Sequence, residues 1–216
     1  MAGKRSYDDG CGVAHALEMV GERWALLIVR DLLLGPKRFT DLQAGLPGAG
    51  PNVLTQRLRD LEQAGVVRRR TLPPPAGSRV YELTEWGAQL EPVVVALGLW
   101  GSRSPVLPRE GEMRADSLMI SMRCAFDPAA EPAWSASYEI RLDPDRFTAR
   151  VVDGRLVTLT RGQPAEPADV VLETAPATLD ALLSGRTSAD TALAEGSLRL
   201  TGDTEAARRL LRAARS

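Results

Sequence analysis

Three long polar side chains recur along one predicted helix in a spacing that suits recognition of duplex DNA. Asn52, Gln56 and Arg59 stand at positions i, i+4 and i+7 of the segment 51–64, and at about 100° per residue they share one helix face. Asn and Gln can pair bidentately with adenine and Arg with guanine in the major groove, each good pair giving roughly 1–3 kcal/mol of discrimination. The chemistry that this face favours is recognition of base edges.

The ends and the opposite side of this segment predict that it is a helix. Pro51 lies just inside its start and Gly65 just past its end, which is the usual asymmetry of helix termini. The opposite side carries three leucines that would face a core, Leu54, Leu58 and Leu61. An ordinary solvated face is the alternative for an isolated helix, so the neighbouring segments decide between the two.

A β-hairpin rich in arginine is predicted directly after the helix. The β-prone runs 66–72 and 79–83 flank a turn-forming stretch at 73–78. Four arginines in these runs suit phosphates or the minor groove, namely Arg68, Arg69, Arg70 and Arg79. Residues 35–82 hold eight basic and four acidic side chains, a net charge of +4 in a chain whose net charge is −1. This local excess is the footprint expected of a DNA-binding surface.

Upstream elements complete a predicted winged helix-turn-helix domain. A strongly apolar helix is expected over residues 24–34, followed by a short helix with Thr40 as its N-cap. The predicted DNA-binding residues are Arg38, Thr40, Pro51, Asn52, Thr55, Gln56, Arg59, Arg70 and Arg79.

Motifs in order along residues 8–103 closely resemble those of the HxlR-type, MarR-like winged helix-turn-helix regulators. They are CGVAHAL from Cys11, GERW from Gly21, RFTDL from Arg38, PNVLTQRLRDLE from Pro51 and YELTEWG from Tyr81. The resemblance implies a transcriptional regulator that binds an inverted-repeat operator in double-stranded DNA as a homodimer. We expect it to act as a repressor, with activation as the alternative. The resemblance also implies that the first helix and the helix after the hairpin form much of the dimer contact.

The helix predicted after the hairpin has a broad apolar face. Thr84 can cap a helix that runs to about Trp100, and its apolar residues are Leu90, Val93, Val94, Leu97 and Trp100. A second copy of the chain would cover this face and match the two-fold symmetry of an operator. Packing on its own domain is the alternative.

The chain is long enough for a second domain, because its 216 residues exceed what a winged helix needs. We predict a DNA-binding and dimerisation domain at 1–103, a linker at 104–113 and a second domain at 114–216. Residues 1–108 carry a net charge of +2 and residues 109–216 a net charge of −3. The second half is therefore not expected to be another DNA-binding surface.

The second half has the pattern of an α+β domain. Alternating apolar and polar residues predict strands at 135–142 and 146–152, and Asp153-Gly154 is typical of a hairpin turn. Further strands are predicted at 156–160, 169–173 and 197–201, with helices at 115–126, 176–184 and 188–194 and a last helix capped by Asp203. This order, with the sequences YEIRL, FTARVVDGRL and TLDALLSGRTSADTALAEGSLRLTGD, resembles the sterol-carrier-protein-like α/β sandwich.

That second resemblance implies a small apolar ligand held between the sheet and its covering helices. Candidate lining residues are Met119, Met122, Trp134, Tyr138 and Phe147. Plain core packing is the alternative for each of them.

Neither catalysis nor a cofactor is expected. The single histidine, His15, cannot build a multi-histidine metal site, and Cys11 and Cys124 have no CxxC spacing. Cys11 lies at the expected start of the first helix, where a helix N-terminus favours a thiolate, and it is a candidate redox sensor. The alternative is a packing residue at the dimer interface.

No signal or membrane segment is apparent, so we expect a cytoplasmic protein. The sequence thus predicts a ligand-controlled regulator, and the alternative is a small-molecule or lipid carrier that uses the winged helix for dimerisation.

Overall fold

The predicted winged helix-turn-helix is present in the first of two separately packed units. The computed structural model describes residues 6–73, 77–106 and 113–215, and the units are Met1–Val94 and Val95–Ser216. Residues 74–76 of the predicted hairpin turn and residues 107–112 of the predicted linker lie outside the described residues. The domain limits 1–103 and 114–216 stay a prediction, and the packing boundary lies between Val94 and Val95.

The first unit contains the helices and the hairpin in the predicted order. Its helices are α1 (Gly12–Val20), α2 (Ala25–Leu32), α3 (Phe39–Gly45), α4 (Pro51–Gln63) and α5 (Glu85–Ala88), and α6 (Glu91–Ser102) begins in it. The hairpin strands are β1 (Val67–Thr71) and β2 (Arg79–Leu83), which pair antiparallel. Leu54, Leu58 and Leu61 are fully buried, so the prediction that this side of α4 faces a core is confirmed.

The N-cap of α3 is Arg38, and the prediction of Thr40 is wrong. The Arg38 backbone N–H donates to Oδ2 of Asp41 at 3.2 Å, which is the capping-box bond made by an acidic residue in the third helical position. Thr40 lies in the first turn of α3 and is exposed.

The single helix predicted from Thr84 to Trp100 is two helices. Oγ1 of Thr84 accepts the N–H of Gly87 at 2.9 Å, which confirms the predicted cap, but α5 ends at Ala88. Pro92 has no N–H, and in a continuous helix its ring would clash with the Ala88 carbonyl. Because Pro92 is tolerated in a first turn, a new helix, α6, begins at Glu91.

A buried carboxylate joins three parts of the first unit. Oδ1 of Asp31 accepts hydrogen bonds from Nε and Nη2 of Arg30 at 2.9 and 2.7 Å. Nζ of Lys37 lies 3.3 Å from Oδ2 of Asp31. Asp31 and Lys37 are only 1% and 3% exposed. The backbone of Lys37 exchanges two hydrogen bonds with Tyr81 of β2, at 2.9 and 2.8 Å. The end of α2 and the hairpin are therefore connected through one ion pair.

The second unit is an α+β domain, as predicted. Its strands are β3 (Ala136–Leu142), β4 (Asp145–Val152), β5 (Arg155–Arg161), β6 (Val170–Thr174) and β7 (Leu198–Gly202). Its remaining helices are α7 (Ala115–Ala125), α8 (Pro176–Leu183), α9 (Ala189–Ala194) and α10 (Thr204–Ala213).

The five strands form one mixed sheet in the order β5-β4-β3-β6-β7, in which only β3 and β6 pair parallel. Alternate residues of β3 are fully buried, among them Tyr138, Ile140 and Leu142. The predicted hairpin turn is confirmed, because Asp153 and Gly154 have φ of 48° and 74°, as a type I′ turn requires. Within the described part of the chain, no helix has the length and apolarity to cross a membrane.

Loss of the Lys37 charge should destabilise the first unit. In Lys37→Met the buried carboxylate of Asp31 keeps only Arg30, and we expect the free energy of unfolding to fall by about 3 kcal/mol in urea titrations. Arg69→Met is the matched control, because it breaks a more exposed pair with Glu62 and should cost less than about 1 kcal/mol. Equal, small losses in both variants would contradict a structural role for the buried pair.

Candidate nucleic-acid interface

The face of α4 opposite its leucines is a polar surface. Asn52, Gln56, Arg59 and Gln63 are all exposed, and α4 begins at Pro51 after the N-cap Gly50. Proline at the first helical position needs no donor and presets the helical φ. The structure therefore brings the predicted reading residues of α4 to one accessible face.

Gln56 is held in place by a neighbour on the same helix. Its Nε2 donates to Oδ1 of Asp60 at 2.8 Å, and Oδ2 of Asp60 accepts Nη1 of Arg57 at 2.7 Å. Gln56 keeps its second amide hydrogen and its carbonyl oxygen for a base. Sequence reasoning missed Asp60, although its i+4 spacing from Gln56 is the signal that would have found it.

Thr55 has a local role in the structure. Its hydroxyl donates to the carbonyl of Pro51 at 2.8 Å, and the side chain is only half-exposed. This bond satisfies a backbone carbonyl within the first turns of α4.

Most of the hairpin arginines form ion pairs with carboxylates of the same chain. Nε of Arg68 and Nε of Arg70 lie 2.8 and 3.0 Å from the two oxygens of Glu82, which is buried. Nη2 of Arg69 lies 2.7 Å from Glu62 of α4. Much of the positive charge that the sequence places in the hairpin is thus balanced within the protein.

Three arginines of the predicted set keep their charge unbalanced. Among the described residues no carboxylate oxygen lies within 4.0 Å of the guanidinium nitrogens of Arg38, Arg59 or Arg79, and all three side chains are exposed. Arg38 is the N-cap of α3, Arg59 lies on α4 and Arg79 lies on β2, so the free cations are distributed over three parts of the winged helix. Guanidinium groups of this kind suit phosphate oxygens.

A concave depression lies between the start of α3 and the hairpin. It is lined by Phe39, Arg69, Arg70, Thr71, Arg79, Val80 and Tyr81. The guanidinium of Arg69 stacks over the ring of Tyr81, 5.4 Å from its centroid. The predicted residues Arg70 and Arg79 therefore meet at one surface, whose cationic lining fits an anion such as a backbone phosphate.

The helices α1 and α6 carry exposed apolar residues. Val93, Leu97 and Trp100 of α6 are 49%, 47% and 76% exposed, and Val13 and Leu17 of α1 are 70% and 42% exposed. Val94 departs from the predicted face, because it is buried. On α6 the exposed residues share one helix side, which is unusually apolar for a surface.

Cys11 is exposed and forms the N-cap of α1. Its Sγ accepts the N–H of Ala14 at 3.3 Å. His15 lies one turn further along α1 and is also exposed. The role of Cys11 as a redox sensor stays a prediction.

The five candidate ligand residues are all buried in the second unit. Met119, Met122, Tyr138 and Phe147 are at most 1% exposed, and Trp134 is 8% exposed. The Tyr138 hydroxyl accepts Nε1–H of Trp134 at 2.7 Å and donates to the Ala206 carbonyl at 3.1 Å. Burial raises the pKa of Tyr138 to about 12, so the hydroxyl remains a donor. Their role as pocket lining stays a prediction.

Comparison with known proteins identifies both halves of the chain. Residues 19–106 match the HxlR-like helix-turn-helix family, and residues 127–215 match the SCP-2 sterol transfer family. The HTH-type transcriptional regulator YvaP of Bacillus subtilis is 37% identical over 87 residues, which are 40% of this chain and 81% of YvaP.

A second relative is the HTH-type transcriptional regulator YodB of Bacillus subtilis. It is 35% identical over 88 residues, which are 41% of this chain and 79% of YodB. The crystal structure of quinone-bound YodB is similar with a TM-score of 0.37, at 32% identity over 43% of this chain and 97% of that one. The chain therefore belongs to the HxlR-like helix-turn-helix family of transcriptional regulators and carries a C-terminal domain of the SCP-2 sterol transfer family.

Proposed function

We propose that the protein represses transcription by binding an inverted-repeat operator as a homodimer, and that a small apolar ligand in the second unit changes its affinity for DNA. The observation that carries the DNA-binding part is the exposed face of α4, where Asn52, Gln56 and Arg59 stand together. A helix of this kind fits the major groove and places its first turns against base edges.

The free arginines would fix the register of α4 on the duplex. Arg38 precedes α3 and Arg79 lines the depression beside the hairpin, so both can take phosphates on the flanks of the groove. Phosphate contacts position a protein, whereas base contacts specify the sequence. Arg38 and Arg79 therefore contribute mainly to affinity, and Gln56 to specificity.

A homodimer would cover the exposed apolar residues of α6 and α1. Leu97 and Trp100 lie about one turn apart on α6 and are 47% and 76% exposed. A two-fold partner covers both copies of such a face at once. The two half-sites of an inverted-repeat operator lie about 34 Å apart, in successive major grooves.

The ligand would enter the core of the second unit at α7, which carries Met119 and Met122. These side chains are buried, so an occupant has to displace α7. Within this unit α7 also packs against α6. Sγ of Cys124 on α7 is so close to Gly98 on α6 that a Cβ at Gly98 would lie 3.3 Å from it. Movement of α7 can therefore reach the helix that carries the proposed dimer face.

Loss of base reading and loss of phosphate contact should have different signatures. We expect Gln56→Ala to weaken binding to the intergenic DNA beside the gene by roughly tenfold or more, with little change on random duplex. Arg79→Ala should weaken both and lower the salt slope by about 1. Fluorescence anisotropy on both duplexes at two salt concentrations measures these effects.

The control variant for this experiment is Arg186→Ala, an exposed arginine of the second unit, which should leave both affinities unchanged. Equal losses on both duplexes for Gln56→Ala would remove base reading from that residue. A wild-type protein that binds the two duplexes equally and weakly would favour the carrier function.

Diamide treatment in the same assay tests whether Cys11 is a redox sensor. If it is, diamide lowers the operator affinity of the wild-type protein and leaves that of Cys11→Ser unchanged.

A charge on the α6 face should separate the subunits. Leu97→Arg should give a monomer in sedimentation velocity and reduce operator affinity at least tenfold, since two half-sites are no longer bound together. Val157→Arg changes an equally exposed apolar residue on β5 and should leave the protein dimeric. A Leu97→Arg protein that remains a dimer would place the interface elsewhere.

A fluorescent long-chain fatty acid should bind near Trp134. We expect saturable energy transfer from tryptophan to this probe, most of it lost in Trp134→Phe because Trp134 lies among the candidate lining residues. Trp86→Phe removes an exposed tryptophan of α5 and should keep the transfer. Transfer that survives in Trp134→Phe, or no saturable binding, would contradict a ligand site in this core.

A further inference from the structure

One exposed apolar side chain flanks the polar face of α4. Val53 is 44% exposed and is the single large apolar residue of α4 that is exposed. The core contacts of the helix are made by leucines on the other side, which are fully buried. The leucines therefore anchor α4 to its own unit, while nearly half of Val53 remains accessible to a partner.

Val53 is a surface neighbour of Gln56, one of the two amide side chains that would meet adenine. It follows Asn52 directly and precedes Gln56 by three residues, so its Cβ is about 5–6 Å from that of Gln56 on the helix surface. It is also in the first turn of α4, and the N-terminal residues of a recognition helix are those that contact base edges.

Valine is a poor choice for this position on helix grounds alone. A β-branched side chain loses rotamer freedom in a helix, and exposure leaves its methyl groups in water. Alanine or a straight-chain polar residue would suit an exposed first turn better. An apolar partner outside the chain would account for the methyl groups.

We propose that Val53 recognises thymine by contact with its 5-methyl group. This inference rests on the proposed function, since it requires α4 in the major groove. The thymine methyl is the apolar group that a base pair presents there, while adenine presents the donor and acceptor that suit Gln56. Each operator half-site should then contain a thymine whose methyl group meets Val53, next to an adenine that meets Gln56.

The test uses the operator duplex selected by the wild-type protein, with each thymine replaced in turn by deoxyuridine. This change removes the methyl group and keeps the hydrogen-bonding pattern. At one position per half-site, wild-type affinity should fall roughly fourfold, and roughly fifteenfold when both half-sites are changed. In Val53→Ala the unmodified operator should bind correspondingly more weakly, and the same replacement should have no further effect.

Gln63→Ala is the matched control, because Gln63 is exposed on the same helix nearly three turns beyond Val53. It should retain the full sensitivity to deoxyuridine. Val53→Ala should fold normally, since alanine has the higher helix propensity, and circular dichroism verifies this.

The outcomes separate this inference from the function on which it rests. Selective operator binding that tolerates deoxyuridine at every position, or a sensitivity that persists in Val53→Ala, overturns the role of Val53 alone. Failure of the wild-type protein to select any duplex overturns the proposed function and this inference together.

Discussion

The buried carboxylate of Asp31 sets the geometry on which the interface depends. It binds Arg30 at the end of α2 and Lys37 before α3, and the backbone of Lys37 pairs with Tyr81 of the hairpin. The end of α3 can approach this carboxylate closely because residue 45 is a glycine. A Cβ at Gly45 would lie only 2.6 Å from Oδ2 of Asp31. Burying these charges costs desolvation energy, and an apolar core of the same shape would be as stable or more so. What the ion pair supplies is a directional link that holds α3 and the hairpin in one arrangement.

A fixed arrangement matters because the free cations are distributed over several elements. Arg38 caps α3, and Arg59 and Arg79 belong to α4 and β2, so the three match a phosphate backbone only if these elements keep their spacing. The carboxylates of Glu62 and Glu82 balance the other hairpin arginines. Fewer free cations weaken sequence-independent attraction, which leaves a larger share of the binding energy to base contacts.

The sequence predicted those features that depend on residues near one another in the chain. The leucine spacing of α4, the proline at its start and the alternation in β3 are local patterns, and the structure has the elements they predict. The pairing of Arg68 with Glu82 spans 14 residues and depends on strand register. Burial of Lys37 depends on an aspartate of α2 and a strand of the hairpin together. These relations arise only when the chain is folded, which is why the number of arginines in the hairpin overstated the number of its free cations.

Ligand control of DNA binding requires a difference in ligand affinity between two arrangements of the protein. The core of the second unit meets one condition for such a difference, because Trp134, Tyr138 and the Ala206 carbonyl form a closed hydrogen-bonded chain that joins the start of β3 to α10. An apolar occupant that separates these groups must leave buried polar atoms without partners or move α10. Small shifts are costly in a packed core, so the second unit would respond by changing between discrete packings. Under the proposed function, the packing that admits a ligand is the one whose α7 displaces α6, and the free energy of ligand binding sets the limit on how far operator affinity can change.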